Sequence, residues 1–317
     1  MIAKERNINL DLIRTIATIL VVYIHCHEFV KMDSSILNQF LYYLGRCGVP
    51  LFLLITGSLV FDKKITIKKL INIYLISFFW CFFFNIINEL FYNKNFLFEN
   101  YNLIDLLKSS VKLNTSTKHL WYLKQILTLY ILFFIKSKFD KITLPTSISL
   151  LILSMMYTSY LILFFSRPNA VPFIGLLLST IGYLIYKKNF ISNMKNYIVI
   201  TLFILAFLLF LLTFNLINKF TADAWWYWNP FILTSSICIF KFLINIKINY
   251  GKKIFELISK NSFGIYLFHV FYISLFSKFI HINNKYFTLI ILFIITFIIS
   301  FLTSFCLNKT KLKKILW

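Results

Sequence analysis

The chain has 317 residues, 59% of them hydrophobic, with a mean hydropathy of +0.78 and a formal charge of +22. Soluble domains of this length do not carry that composition, so the chain reads as an integral membrane protein with no soluble domain of useful size left over. The excess of lysine would suggest nucleic acid in a soluble protein; here it falls in short loops between apolar runs and marks orientation, so no nucleic-acid partner is expected.

Apolar runs near the ~20 residues that cross a bilayer predict an all-α polytopic bundle, because a barrel would show short alternating segments instead. Ten spans are predicted, at roughly 8–29, 37–61, 70–91, 119–136, 146–165, 170–187, 196–214, 227–246, 262–280 and 286–307. Loops rich in lysine (KERN, DKKITIKK, KSKFDK, KKNFISNMK, NIKINYGKKIFELISK, NKTKLKK) alternate with sparser ones, which places both termini in the cytoplasm. The charged, apolar start lacks a small-residue cleavage site and is read as a retained first span, not a signal peptide. No internal repeat stands out. The five cysteines lie in predicted spans without CxxC spacing and read as reduced apolar filler.

The first span, NLDLIRTIATILVVYIHCHEF (9–29), holds Asp11, Arg14, His25, His27 and Glu28. At ~100° per residue the step from Arg14 to His25 returns to nearly the same helix face about three turns on, and Asp11, Thr18 and Glu28 share that stripe. Ionisable groups inside a membrane cost at least a few kcal/mol unless they meet a partner or a watery cavity, so they are functional candidates by default. The plainer alternative pairs Asp11 with Arg14 and leaves His27 and Glu28 among headgroups. In the second span, GRCGVPLFLLITGSL (45–59) places Arg46 at a depth similar to His25, with Gly45, Gly48 and Gly57 suited to close helix packing.

Residues 92–118 include an apolar-periodic piece, YNLIDLLKSSVKLN, that predicts a short helix on the membrane surface. In KHLWYLKQILTLYI (118–131), His119 and Trp121 lie at the outer boundary and Lys124 lies deeper, where it either serves a site or snorkels outward. TADAWWYWNPF (221–231), with Trp225, is either an interfacial aromatic belt or part of an acceptor site. In NSFGIYLFHVF (261–271), Ser262, Tyr266 and His269 share one helix face.

Four of these blocks together resemble the acyltransferase 3 family of membrane acyltransferases. Arg14 and His25 match its first-helix pattern of Arg, ten residues, His; RCGVPLFLLITG is similar to its second-helix signature, HLWYL to the block opening its fourth span, and NSFGIYLFHV to its late Gly-Ile-Tyr…His block. The resemblance covers essentially the whole chain as one transmembrane acyltransferase domain. It is to the short stand-alone members that O-acetylate cell-surface polysaccharides, and DAWWYWNPF is similar to the enterobacterial common antigen O-acetyltransferases among them. Two positions depart from the pattern: Thr56-Gly57 replaces the usual Ser-Gly, keeping the hydroxyl, and the basic stretch after the second helix is all lysine, without the bidentate phosphate grip of arginine.

The resemblance implies transfer of an acetyl or other short acyl group from cytoplasmic acyl-CoA, a co-substrate, to a hydroxyl of an extracytoplasmic polysaccharide or lipid-linked sugar; no metal is expected. On that footing the donor's phosphates stay near Lys63, Lys64, Lys68 and Lys69, its pantetheine arm passes Arg14, and His25 acts as general base with Glu28 orienting it. Arg46, with Lys124 behind it, is the candidate oxyanion donor, and His119, Trp121, Tyr266, His269 and Trp225 the candidate acceptor-site residues. An acyl-histidine route involving His269 stays open. So does a second reading, a transporter or flippase for a lipid-linked sugar, in which His25, Arg46 and His269 form a proton relay.

Overall fold

The first apolar run folds into α1 (Ile8–Val30), and its start is fixed locally: the Asn7 side chain accepts from the backbone N–H of Asn9 and Leu10, two donors that the first turn leaves without a helical partner. This computed structural model describes residues 6–32, 35–92, 103–114, 119–138, 171–217, 229–280, 282–311 and 313. Regular structure among these residues is helical throughout. The helices after α1 are α2 (Ile36–Arg46), α3 (Gly48–Val60), α4 (Ile67–Tyr92), α5 (Leu103–Val111), α6 (Trp121–Lys136), α7 (Val171–Lys187), α8 (Asn196–Ile217), α9 (Pro230–Ile244), α10 (Lys252–Phe276) and α11 (Lys285–Lys309). Four stretches of the described residues are long and apolar enough to cross a membrane: Ile8–Val30, Ile36–Val60, Ile67–Glu89 and Lys285–Lys309. The predicted span at 146–165 lies outside the described residues.

Two boundaries correct the sequence expectation. The predicted second span, 37–61, is interrupted at Cys47, whose N–H bonds to the Leu44 carbonyl at 3.0 Å in a tightened turn. Pro50 explains the break: it has no N–H for the carbonyl four residues back, and its ring crowds that carbonyl, which belongs to Arg46. The helix that carries the predicted ninth span begins ten residues before it, because Lys252–Asn261, assigned to a loop for its lysines, is helical. Gly251 turns the chain in a left-handed conformation (φ 75°), and Glu256 and Lys260 pair at 2.6 Å across one helical turn.

The chain divides into two compact units, Met1–Phe61 with Leu144–Lys311, and Asp62–Thr143 with Leu312–Trp317. In the first, α1 is central and packs against α2, α3, α9, α10 and α11. Its apolar side joins Val22 and Cys26 to Ile265, Ile273, Leu289 and Leu292. The α3–α7 pair approaches closely enough that a methyl on Gly57 would stand 1.7 Å from the Ser179 carbonyl oxygen, and one on Gly182 would stand 2.0 Å from that of Leu54. Glycine at both positions therefore sets the spacing of these helices, as the small residues of the second span suggested. Ser58 Oγ then donates to the Gly182 carbonyl at 2.9 Å. Polar side chains also tie α10 to α11, where Ser304 Oγ and Asn308 Nδ2 donate to Asn261 Oδ1 at 3.1 and 2.8 Å.

In the second unit α4 packs against α5 and α6. Asn85 Nδ2 donates to Ser110 Oγ at 3.0 Å and to the Asn114 carbonyl at 3.2 Å, and Tyr74 Oη donates to the Val111 carbonyl at 3.0 Å. The short helix predicted within 92–118 is thus present as α5. Of the cysteines, Cys26, Cys47, Cys81 and Cys238 are free and buried, as filler should be, whereas Cys306 is free and exposed on α11.

Candidate active site

Both ends of α1 carry charge, and each is organised around one carboxylate. At the start of the helix, Asp11 is 4% exposed. It accepts from Arg6 Nε at 2.5 Å and Arg6 Nη2 at 2.7 Å, and from Ser259 Oγ of α10 at 2.6 Å. The hydrogen bond that the Arg6 guanidinium donates to Asp11 holds it above its ordinary pKa, so it is charged at every working pH. Arg14, one turn further, donates to Ser259 Oγ at 3.4 Å, so the serine links the two groups and Asp11's ion pair is with Arg6, not Arg14. Between the two ends, Thr15 and Thr18 turn their hydroxyls to the carbonyls of Phe255 and Arg14 at 3.1 and 2.8 Å.

At the other end of α1, Glu28 lies one turn beyond His25 and accepts on both oxygens. His25 Nδ1 stands 3.3 Å from Oε2, and Arg46 Nη2, delivered by the last turn of α2, stands 2.5 Å from Oε1. A carboxylate only accepts, so the neutral His25 ring carries its proton on Nδ1 and keeps the lone pair on Nε2, the arrangement of a general base. The Arg46 side chain is 4% exposed, against 38% for Glu28 and 19% for His25. Arg46 also donates to the Tyr42 hydroxyl and lies over that ring, with Cζ 4.7 Å from its centroid. The second face of His25 meets His269, ring centroids 5.1 Å apart. His269 is fully buried, and its Nδ1–H is held by the Tyr266 carbonyl at 2.6 Å and the Ile265 carbonyl at 3.2 Å, so its Nε2 is likewise the basic nitrogen. The Tyr266 ring follows, 6.0 Å from that of His269.

Of the residues singled out from the sequence, His25, Glu28, Arg46, His269 and Tyr266 therefore converge, and Arg14 occupies the opposite end of the same helix. Lys63, Lys64, Lys68 and Lys69 belong to the second compact unit, with Lys69 Nζ 4.9 Å over the Tyr130 ring. His119, Trp121 and Lys124 are in that unit as well: His119 is buried edge-on to Phe84 at 5.7 Å, and Lys124 is exposed on α6. Trp225 lies outside the described residues. Tyr42, Ser259 and Arg6 were not anticipated. Tyr42 has a sequence signal, since it precedes Arg46 by four residues on one helix face; Ser259 and Arg6 have none.

Together the fold and this centre define a helical membrane protein in which a carboxylate-held histidine stands beside a buried arginine. A family model described as an acyltransferase domain matches residues 7–309, and the chain belongs to that family, the acyltransferase 3 family. It is a membrane acyltransferase. No curated protein and no solved structure matches the chain.

Proposed function

We propose that the protein transfers an acetyl or other short acyl group from cytoplasmic acyl-CoA to a hydroxyl of an extracytoplasmic surface polysaccharide or lipid-linked sugar. The observation that carries this reading is the sharing of Glu28 between His25 and Arg46, which supplies a base and an oxyanion partner within one group of side chains. The acceptor hydroxyl gives its proton to His25 Nε2 as its oxygen attacks the thioester carbonyl carbon. Negative charge then forms on the carbonyl oxygen, where the Arg46 guanidinium stabilises it. As the carbon–sulfur bond breaks, the thiolate recovers the proton from the imidazolium, leaving the ester and free CoA. Glu28 stabilises the imidazolium throughout.

In this reading the N-terminal end of α1 faces the cytoplasm of a bacterial inner membrane, the chain crosses ten times, and Arg14 lies beside the pantetheine arm. The lysines at 63, 64, 68 and 69 draw the polyanionic donor to the membrane surface.

The test is incubation of purified protein in nanodiscs with radiolabelled acetyl-CoA and a bacterial surface-glycan extract. Label is expected to pass to glycan with the wild type and to fall about 10³-fold with His25→Ala while acetyl-CoA binding persists. Wild-type transfer by folded His25→Ala would remove the base assignment. Absence of both donor binding and transfer would favour the transporter.

A further inference from the structure

At the N-terminal end of α1 lies a cavity that this mechanism does not use. Asn9 Nδ2 donates to the carbonyls of Leu243 and Ile246, at 2.9 and 2.7 Å, around the end of α9, and Asn7 Nδ2 donates to Tyr186 Oη near the end of α7 at 3.3 Å. The ends of α7 and α9, the connection 188–195 and the start of α8 line an open cavity of about 490 Å³, within the ~300–1,000 Å³ range of small-molecule sites. Its polar lining includes Lys241, Lys195, Asn189, Asn193, Asn196 and Asn245. Among the described residues no carboxylate contributes to the lining.

Lys241 sets the chemistry. It is 4% exposed, and its Nζ donates to the Ser192 carbonyl at 3.3 Å. Among the described residues no carboxylate pairs with it, and the sequence has no Asp or Glu from 141 to 222 or from 224 to 255. The carboxylates at the neighbouring start of α1 and α10 are committed elsewhere, Asp11 to Arg6 and Ser259, Glu256 to Lys260. A buried ammonium facing only a carbonyl dipole is expensive unless an anion joins it. Amide N–H donors and the first turn of α8 around the same space favour negative charge as well.

We infer that this cavity binds a phosphate group, with Lys241 as its central cation and Lys195 at its mouth. A lysine grips phosphate as a point charge, without the planar fork of arginine, which suits a terminal phosphate approached by several amides. Two sources carry that chemistry: the nucleotide end of the acyl donor, an assignment that rests on the function proposed above, and the headgroup of an anionic lipid. The donor source fits the cavity's place at the end of α1 that holds Arg14.

The test uses the full chain in phosphatidylcholine nanodiscs, comparing wild type with Lys241→Met and with Lys195→Gln, whose side chain is exposed and whose folding is therefore safe. Calorimetric CoA binding is expected to weaken at least tenfold in Lys241→Met and about threefold in Lys195→Gln, with thermal melting confirming folded protein. If the wild type binds no CoA, the donor reading of the protein fails but the cavity is still tested: native mass spectrometry should show phosphatidic acid retained over phosphatidylcholine by the wild type and that preference lost in the variants. The same lipid result beside unchanged CoA binding assigns the phosphate to lipid. Wild-type CoA affinity together with wild-type lipid preference in both variants overturns the inference; if Lys241→Met does not fold, Lys195→Gln decides alone.

Discussion

Glu28 is the group on which the proposed chemistry turns, and Glu28→Gln tests it with little change of shape. When His25 takes the acceptor's proton, an imidazolium forms with Nδ1 3.3 Å from the Glu28 carboxylate. At an effective dielectric of about 20, that separation is worth ~5 kcal/mol. The Glu28 side chain is 38% exposed and its charge is shared with Arg46 at 2.5 Å, so solvent and the second cation reduce the benefit by roughly half, to ~2.5 kcal/mol. Losing it should slow transfer about 70-fold in kcat. The assay is label transfer at saturating donor and acceptor, with the donor KM measured alongside. That KM should stay within about twofold, because Glu28 sits at the opposite end of α1 from Arg14. Arg46 keeps the Tyr42 hydroxyl and gains the glutamine carbonyl, so the variant should fold, and thermal melting checks that it does. A folded Glu28→Gln protein within threefold of wild-type kcat, or one whose whole defect lies in donor KM, would refute the role given to this carboxylate.

Removing the buried guanidinium with Arg46→Met should cost about 10²–10³ in kcat, and Arg46→Lys should fail to restore it, since a compact ammonium does not reproduce the planar guanidinium that lies over the Tyr42 ring while it meets Glu28. Ser259→Ala frees Arg14 from its α10 partner; donor KM should rise about fivefold, the equivalent of ~1 kcal/mol, with kcat unchanged. Gly57→Ala drives a methyl onto the Ser179 backbone and should destabilise the protein by about 3 kcal/mol, read as a lower thermal midpoint. Gly45→Ala is the matched control, because the atoms nearest its methyl would belong to the Ile24 side chain, at 3.0 Å, and not to backbone.

The centre was legible where it depends on helical periodicity. The Arg14 to His25 spacing, the extra turn to Glu28 and the depth of Arg46 are all arithmetic on 3.6 residues per turn, and helix packing then had few ways to bring two such polar edges together. What joins them depends on rotation about each helix axis, which sequence does not fix: the choice of Arg6 over Arg14 as the partner of Asp11, and the place of Ser259 between them, are tertiary facts. Tyr42 was hidden by abundance, since 38 phenylalanines and 18 tyrosines leave no single aromatic conspicuous. The break at Cys47 had a visible cause in Pro50. The early start of α10 did not, because lysines that mark a loop to a charge count are equally at home on the exposed turns of a helix that begins before the hydrocarbon.

The distribution of charge along α1 bears on how such chemistry proceeds inside a membrane. Between Arg14 and His25 the helix carries hydroxyls that bond to backbone carbonyls and no ionised group, so the electrostatic cost is confined to two places. With a neutral imidazole, His25, Glu28 and Arg46 together carry no net charge before reaction. Proton transfer to His25 and formation of the oxyanion create one positive and one negative charge, so the sum stays at zero while the existing Arg46–Glu28 pair rearranges around them: Glu28 toward the imidazolium, Arg46 toward the oxyanion. The other end, Arg6, Asp11 and Arg14, sums to one positive charge, the sign that the polyanionic donor of the proposed reaction would require. Catalysis then demands no new net charge in the hydrocarbon. In the proposed mechanism the carboxylate that pairs with a buried arginine at rest is the same one that balances the imidazolium during turnover, which gives a physical reason for His25 and Glu28 of α1 and Arg46 of α2 to stand so close.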